Sequence, residues 1–382
     1  MGHGRRLRAW LTLVQAPGVG PRLIARVLGR FDDVEAALEA DASILRGLGI
    51  AAAAIEALRR PDEAALDALL AWGQQDGTAI LTRDHPAYPP LLAQIPDAPG
   101  VLYVRGDPGA LADPQLAIVG SRNPTPQGAD TTRELARFLT DCGITITSGL
   151  AMGVDAAAHR GALEAGRTIA VLGTGLDRVY PAAHRDLARH IAEAGALVSE
   201  LPPDSPARAE HFLRRNRIIS GLSLGTLVTE AALGSGSLIT ARLASEQGRE
   251  VFAMPGSIHN PLARGCHALI RDGARLVECA QDILAELAPA LRTAAAPAAG
   301  CAQGGSGAAP VAAGAPQLDG DYRRLFTAMG HDPVAVDDLI RRTGLPADSV
   351  ASMLLLLELQ GRVSSYPGGR YGLGPDTGCG GP

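Results

Sequence analysis

The strongest constraint on the fold is an alternation of apolar strand-like runs with helical stretches from about residue 75 to residue 285. Continuous Val/Ile/Leu runs separated by helical patterns are typical of a parallel sheet that helices cover on both faces. The sequence therefore predicts an α/β domain, with ligands bound at the carboxyl ends of the strands. The predicted strands are Leu116–Val119, Ile144–Thr147, Thr168–Leu172, Ala196–Val198, Thr226–Thr229, Val251–Met254 and Arg275–Val277.

Composition divides the 382-residue chain further. We predict a helical module over 1–75, the α/β domain over 76–287, an Ala/Pro/Gly linker over 288–320, a winged helix over 321–373 and a tail over 374–382. The winged helix is predicted from three helical patterns followed by two strand-like runs around a Gly-Gly pair. Its third helix, 349–357, carries no arginine, which favours a protein contact over DNA reading.

The N-terminal module contains two apolar-Gly-apolar turns, Gly18-Val19-Gly20 and Leu48-Gly49-Ile50, each followed by an amphipathic helix. This pattern resembles a helix–hairpin–helix pair (a SAM-like module), whose turns present backbone N–H groups to phosphate. A small helical bundle that uses glycine only to turn tightly explains the pattern equally well. Both interpretations stay open at this point.

Charge and cysteine content exclude several classes of protein. The net charge is −5 and every basic residue is arginine, so only a local cluster of cations would bind nucleic acid. No apolar run is long enough to span a membrane and no signal peptide is evident, so we expect a cytoplasmic protein. The cysteines stand alone, and Cys266-His267 lacks a second ligand pair, so neither a metal nor a cofactor is expected.

The first of the predicted strands is followed by residues that could bind an anion. Gly120-Ser121-Arg122 follows the first strand, where glycine admits a ligand, Ser121 donates and Arg122 offers a charged fork. An ion pair between Arg122 and a neighbouring acid is the structural alternative.

After the second predicted strand, Gly149 gives a bend without a side chain. Asp155 and His159 lie four residues apart, on one side of the helix that follows. They could form a catalytic dyad, or Asp155 could cap the helix while His159 forms a hydrogen bond in the core.

The densest cluster of cations lies between residues 207 and 217. Arg208, Arg214, Arg215 and Arg217 flank Phe212, and Ser235 opens a later helix. Arginines mixed with an aromatic ring suit a single strand of nucleic acid, where cations meet phosphates and a ring meets a base. A surface helix with ion pairs and a core phenylalanine would produce the same pattern.

Several motifs together resemble the DNA-processing protein A (DprA/Smf) family. They are VGSR (119–122), SGLAMGVDAAAH (148–159), LGTGLDRVYPAAH (172–184), HFLRRNRIISGLS (211–223) and GSGSLITARLASEQGREVFAMPGS (234–257). The resemblance implies an extended Rossmann-like domain that dimerises and binds single-stranded DNA. It also implies a cytoplasmic protein that loads the RecA recombinase during natural transformation, without catalysis.

The resemblance also implies a set of DNA-binding residues. The pocket would include Ser121, Arg122, Gly149, Phe212, Arg215 and Ser235, with Arg185, Arg208 and Arg217 nearby. Leu213 stands where many family members have proline, which puts the pose of Phe212 in doubt. The surface that contacts RecA has no motif that transfers to numbered residues.

Two other functions remain open from the sequence. Gly225, Thr226 and Glu230 resemble part of a nucleoside 5′-monophosphate phosphoribohydrolase motif, in which Glu230 would act on a ribosyl centre. The Pro-Gly-Gly that precedes this motif in those enzymes is missing. A winged-helix regulator whose sheet domain senses a nucleotide is the third interpretation.

Overall fold

The structure is a computed structural model that describes residues 2–31, 33–295, 320–329, 334–359, 362–366 and 370–373. The chain divides into two compact units, Met1–Ala298 and Ala299–Pro382. Each unit is described by itself below. None of the described helices is both long enough and apolar enough to cross a membrane.

A nine-stranded sheet forms the centre of the first unit, in the order β1-β2-β6-β5-β4-β3-β7-β8-β9. All seven predicted strands are present, as β3 to β9, and they are parallel. The strands are β1 Thr78–Thr82, β2 Val101–Gly106, β3 Gln115–Val119, β4 Thr145–Ser148, β5 Thr168–Val171, β6 Ala196–Ser199, β7 Gly225–Val228, β8 Glu250–Ala253 and β9 Arg275–Leu276.

Strands β1 and β2 were missed because they do not belong to the strand–helix repeat. They pair antiparallel with each other, and β2 pairs antiparallel with β6. Antiparallel neighbours need no crossover helix, so no long helical stretch between them marks their presence in the sequence. The extended Rossmann-like α/β fold is otherwise as predicted.

Helices surround the sheet and precede it. The helices of the first unit are α1 Gly2–Gln15, α2 Pro21–Leu28, α3 Val34–Glu39, α4 Ala42–Gly47, α5 Ala52–Arg59, α6 Glu63–Trp72, α7 Pro90–Ala93, α8 Pro126–Asp141, α9 Val154–Leu163, α10 Arg185–Ala194, α11 Ala209–Leu222, α12 Gly236–Glu246, α13 Arg264–Arg271 and α14 Ala280–Ala295. Both apolar-Gly-apolar turns precede helices as predicted, α2 and α5.

Both faces of the sheet are buried. Along β3, Leu116 and Ile118 belong to one apolar cluster, while Ala117 and Val119 belong to another. Successive side chains of a strand point to opposite faces, so a strand covered on both sides has to be apolar throughout. This burial explains the continuous apolar runs in the sequence.

The N-terminal helices share a core with the sheet domain rather than forming a compact unit of their own. Trp10, Leu23 and Ile24 are buried in one cluster with Val101 and Leu172. The predicted boundary at residue 75 therefore lies within a single compact unit and stays a prediction. The helix α14 continues to Ala295, so the beginning of the predicted linker is helical, and residues 296–319 lie outside the described residues.

The second unit has the predicted winged-helix layout. Helices α15 Gly320–Met329, α16 Val336–Thr343 and α17 Ala347–Leu359 precede strands β11 Val363–Tyr366 and β12 Arg370–Leu373, and a short strand β10, Val334–Ala335, joins β12 as a third. Their core includes Leu325, Leu339 and Leu354. The predicted tail, 374–382, lies outside the described residues.

Candidate nucleic-acid interface

A pocket of about 400 Å³ opens at the carboxyl ends of β3 and β4, beside α11 and the first turn of α12. This is the edge of the sheet where ligands of open α/β folds bind. Its lining residues are Val119, Gly120, Arg122, Ala151, Asp155, Phe212, Leu213, Arg215, Asn216, Ile219, Ser235, Gly236, Ser237 and Thr240. Four of the predicted site residues, Arg122, Phe212, Arg215 and Ser235, therefore meet in one cavity.

Arg122 lies exposed on a loop that is anchored on both sides. The backbone N–H of Ser121 donates to the carbonyl of Glu230 over 2.6 Å, and the N–H of Val154 donates to the carbonyl of Ser121 over 3.0 Å. Within the described part of the chain, the Arg122 guanidinium forms no ion pair. The alternative in which Arg122 pairs with a neighbouring acid is therefore not what the structure shows, and its charge faces the pocket.

Arg215 lies buried in the floor of the pocket. One terminal N–H donates to the carbonyl of Val171, and Nε has no hydrogen-bond partner among the described residues. Burial lowers the pKa of Arg215 to about 10, an effect that the opposite charge of Asp155 counteracts and the like charge of Arg122 reinforces. The guanidinium is still protonated at neutral pH, so the pocket holds a desolvated cation with a donor to spare.

Gly149 creates the space that Arg215 occupies. A Cβ on this residue would overlap the Arg215 guanidinium. The Gly149 position is itself held by Asp155, whose carboxylate accepts the N–H groups of Gly149 and Ala151 over 3.1 and 3.2 Å. Gly149 therefore matters because it has no side chain, which allows the Arg215 guanidinium to pack directly against its backbone.

Asp155 and His159 do not form a catalytic dyad. His159 is fully buried, and its Nδ1 lies 2.7 Å from the hydroxyl of Thr168. Burial, with the charges of His184 and Arg215, lowers the pKa of His159 to about 3, so the ring is neutral. Burial also raises the pKa of Asp155, against the effect of Arg215 and the loop amides. Asp155 holds the loop after β4 and His159 bonds to Thr168 of β5, so both have the structural roles that the sequence analysis gave as the alternative.

The ring of Phe212, which lines the pocket, packs against a second aromatic ring, that of Tyr180. Phe212 is half-buried, and its ring centroid lies 5.3 Å from that of Tyr180, with the ring planes at 49°. Tyr180 is 54% exposed and was not predicted as a site residue. The signal for it was present in the LGTGLDRVYPAAH segment, but only the fold shows that this segment reaches Phe212.

Ser235 caps the helix that points at the pocket. Its hydroxyl accepts the N–H of Ser237 over 3.3 Å and lies 2.7 Å from the Ser237 hydroxyl. The positive end of the α12 dipole therefore adds to the charge of the two arginines. An anion is the ligand that this combination favours.

The remaining predicted arginines do not line the pocket. Arg217 is 4% exposed and forms a buried pair with Glu200, with Asp97 at 3.5 Å. Arg208 is exposed beside Glu210 at 3.9 Å, and Arg185 is exposed at the start of α10. The DNA-binding role of Arg217 stays a prediction, but the structure buries this side chain, because successive helical residues point about 100° apart and a cluster in sequence is divided between faces.

Glu230, the residue of the hydrolase alternative, is engaged elsewhere. Its carboxylate accepts both the N–H and the hydroxyl of Thr125 over 2.7 Å, and Asn260 donates to it over 3.4 Å. Thr125 in turn caps α8. Both carboxylate oxygens thus hold the start of α8 in place.

Among the described side chains, no group of His, Cys, Asp and Glu is arranged to hold a metal ion. The Cys266 thiol is buried and lies 3.6 Å from the carbonyl of Val228.

The fold and this pocket place the protein among Rossmann-like α/β proteins that present a cationic, aromatic-edged pocket at the carboxyl edge of the sheet. Residues 79–288 match the profile of the family described as DNA recombination-mediator protein A, and residues 309–369 match that of the DprA winged helix domain. The chain belongs to the DNA-processing protein A (DprA/Smf) family.

Individual relatives agree with this assignment. Protein Smf of Escherichia coli (strain K12) is 42% identical over 338 residues, which is 86% of either chain. The solved structure of DNA processing protein A from Streptococcus pneumoniae matches with a TM-score of 0.67 and 37% identity over 73% of this chain and 97% of that chain. The homologue from Helicobacter pylori matches with a TM-score of 0.51 and 32% identity over 56% of this chain and 96% of that chain, and its structure is described in terms of a single-stranded DNA binding mode.

Proposed function

We propose that this protein binds single-stranded DNA in the pocket at the carboxyl ends of β3 and β4. The observation that carries the proposal is the buried Arg215 guanidinium beside Arg122; among the residues that the structure describes, Arg215 Nε has no hydrogen-bond partner and Arg122 forms no ion pair. A phosphate between these two cations and the first turn of α12 would receive charge-assisted hydrogen bonds. Phe212 and Tyr180 would stack on an adjacent base.

The other predicted site residues have supporting roles in this proposal. Ser121 and Gly149 set the two loops that position Arg122 and Arg215. The exposed Arg185 and Arg208 contribute long-range attraction to the DNA backbone, which salt screens. Arg217 acts only by holding α11 in place.

In the cell, the proposed role is to load the RecA recombinase onto single-stranded DNA during recombination and natural transformation. We propose that the protein works in the cytoplasm, as a homodimer through its Rossmann-like domain and without catalytic chemistry. Support comes from the family, whose profile is described as a recombination mediator, and from the homologue described as binding single-stranded DNA.

The first test is fluorescence anisotropy of labelled oligo-dT with the full-length protein at several salt concentrations. A duplex of equal length and free AMP serve as competitors. We expect salt-sensitive binding that prefers the single strand and that AMP does not displace. Arg122→Ala should weaken the binding of every sequence alike and reduce the steepness of its salt dependence by about 0.7, the contribution of one phosphate contact to a single strand.

Arg133→Ala is the matched control, because Arg133 is exposed and paired with Glu164, just beyond the end of α9. It removes the same charge and should leave binding nearly unchanged. If Arg122→Ala behaves like this control, the pocket is not the DNA site. Binding of AMP in place of oligo-dT, or its cleavage to adenine, would instead favour the hydrolase interpretation.

A further inference from the structure

A second cationic surface lies on the N-terminal helix α2. Arg22, Arg26 and Arg30 follow one another at intervals of four residues and are all exposed. Residues four apart lie on the same face of a helix, about 6 Å apart along its axis, so the three form a row along α2 and its C-terminal turn. This row is called the α2 arginine row below.

The α2 arginine row lacks acidic partners within the described residues. Arg22 and Arg26 form no ion pair there, and Arg30 lies over the ring of Phe31, 5.7 Å from its centroid. Asp33, close in sequence, accepts the N–H of Ala36 as the cap of α3.

Three other arginines of the module are paired with acids. Arg6 pairs with Asp84, Arg8 with Glu63 and Asp67, and Arg60 with Glu56. The first 31 residues contain six arginines and no acidic residue, in a chain of net charge −5. Arg22, Arg26 and Arg30 are half of these six arginines, and they form one row on α2 and its C-terminal turn.

The buried face of α2 is fixed to the sheet edge that carries the pocket. Leu23, Ile24 and Val27 share an apolar cluster with Leu150, the residue after Gly149. An ideal Cβ on Gly100 would lie 3.0 Å from Ile24 Cδ1. Gly100 precedes β2, which runs antiparallel to β6, so it lies at the carboxyl edge of the parallel strands.

We propose that the α2 arginine row is a second contact site for the phosphate backbone of single-stranded DNA, reached by the strand that the pocket holds. The row spans about 12 Å and presents three guanidinium groups, enough to contact about three phosphates of a strand. Single-stranded DNA is the expected ligand for two reasons. Its phosphates carry the charge opposite to that of the arginines, and α2 packs at the same edge of the sheet as the pocket. The inference rests on the proposed function of the pocket, and it extends the DNA footprint to the N-terminal module.

The test compares two lengths of oligo-dT, one of about six nucleotides that fills the pocket and one of about thirty that extends beyond it, chosen around the range of single-strand site sizes. The variant is Arg22→Ala/Arg26→Ala/Arg30→Ala in the full-length protein. The control, Arg60→Ala/Arg133→Ala/Arg189→Ala, removes the same charge from exposed arginines that are each paired with an acid. Thermal unfolding verifies that both variants fold.

For the long oligonucleotide, we expect the α2 variant to bind about ten- to one-hundredfold more weakly than the wild type at low salt. The steepness of its salt dependence should fall by about two, because each of the three phosphates that the row no longer neutralises accounts for about 0.7. The short oligonucleotide should bind as it does to the wild type. The control triple should change neither.

Unchanged binding of the long strand, relative to the control triple, would overturn the inference, as would an equal decrease in affinity for both lengths. Failure of the pocket proposal is distinguishable from either result. In that case Arg122→Ala leaves both lengths bound normally, while weaker binding of the long strand by the α2 variant would still support the row.

Discussion

At the scale of single residues, the pocket depends on a cation that is buried without being neutralised completely. Arg215 gives one terminal N–H to Val171 and faces Asp155, yet its Nε keeps an unused donor. A buried donor without a partner costs about 1–3 kcal/mol, which a bound phosphate would recover. The arrangement is therefore that of a site prepared for an anion.

Gly149→Ala tests this arrangement without removing any charge. The new methyl group would overlap the Arg215 guanidinium and displace it from the pocket floor. We expect the affinity for oligo-dT to fall by about tenfold or more, since overpacking costs roughly 1–3 kcal/mol. Anisotropy titration measures the affinity, and circular dichroism verifies the fold.

Gly234→Ala is the matched control, because a Cβ there would meet no atom within 4 Å. It should bind as the wild type does. Wild-type affinity in the folded Gly149→Ala variant would show that the position of Arg215 does not matter for DNA.

At the scale of elements, α11 divides one cluster of arginines among several roles. Arg215 points into the pocket, Arg217 into a buried pair with Glu200, and Arg214 is half-exposed beside the same carboxylate at 3.2 Å. Helical geometry separates residues that are close in the sequence, so the same residue type serves both binding and packing. These two kinds of role predict different consequences of substitution.

Arg217→Met should lower stability rather than act directly on DNA binding. The substitution would leave Glu200 buried without its main partner, which typically costs about 3–5 kcal/mol. Urea denaturation should show this decrease in the free energy of unfolding. Under conditions where the variant remains folded, its affinity for oligo-dT should match that of the wild type.

Arg214→Ala removes the more exposed partner of Glu200 and should cost no more than about 1 kcal/mol. If Arg217→Met instead kept its stability and bound DNA weakly, Arg217 would belong to the DNA surface after all.

At the scale of the whole molecule, the pocket and the N-terminal helices belong to one compact unit, Met1–Ala298. The continuous apolar cluster from Trp10 through Leu23 to Leu172 joins them. The winged helix forms the other unit and has a core of its own. DNA binding by the pocket should therefore not require the winged helix.

Truncation after Ala298 should leave the affinity for oligo-dT within about twofold of the full-length value, because each pocket residue and its supports remain. Anisotropy measurements on the two proteins, with the full-length protein as reference, check this expectation. A decrease of tenfold or more in a truncated protein with normal thermal unfolding would mean that the winged helix takes part in binding.

Most of the architecture was predictable from the sequence because its pattern is local. Each of the seven parallel strands was predicted, since burial on both faces demands a continuous apolar run such as Leu116–Val119. Strands β1 and β2 were missed because no repeat marks them. Tyr180 was missed as a site residue because its partner, Phe212, is far from it in the chain.

The α/β fold, the family and the strand ends at which the pocket forms could all be predicted from the residue pattern, because apolar periodicity and turn glycines act over short stretches of chain. Which charged groups remain available to a ligand depends instead on contacts between distant parts of the chain. Arg217 pairs with Glu200 and Glu230 with Thr125, whereas Arg122 forms no ion pair among the described residues and lines the pocket together with Arg215. The physical reason is that a side chain's charge is neutralised by groups that the fold brings near it, and a linear pattern does not contain those distances.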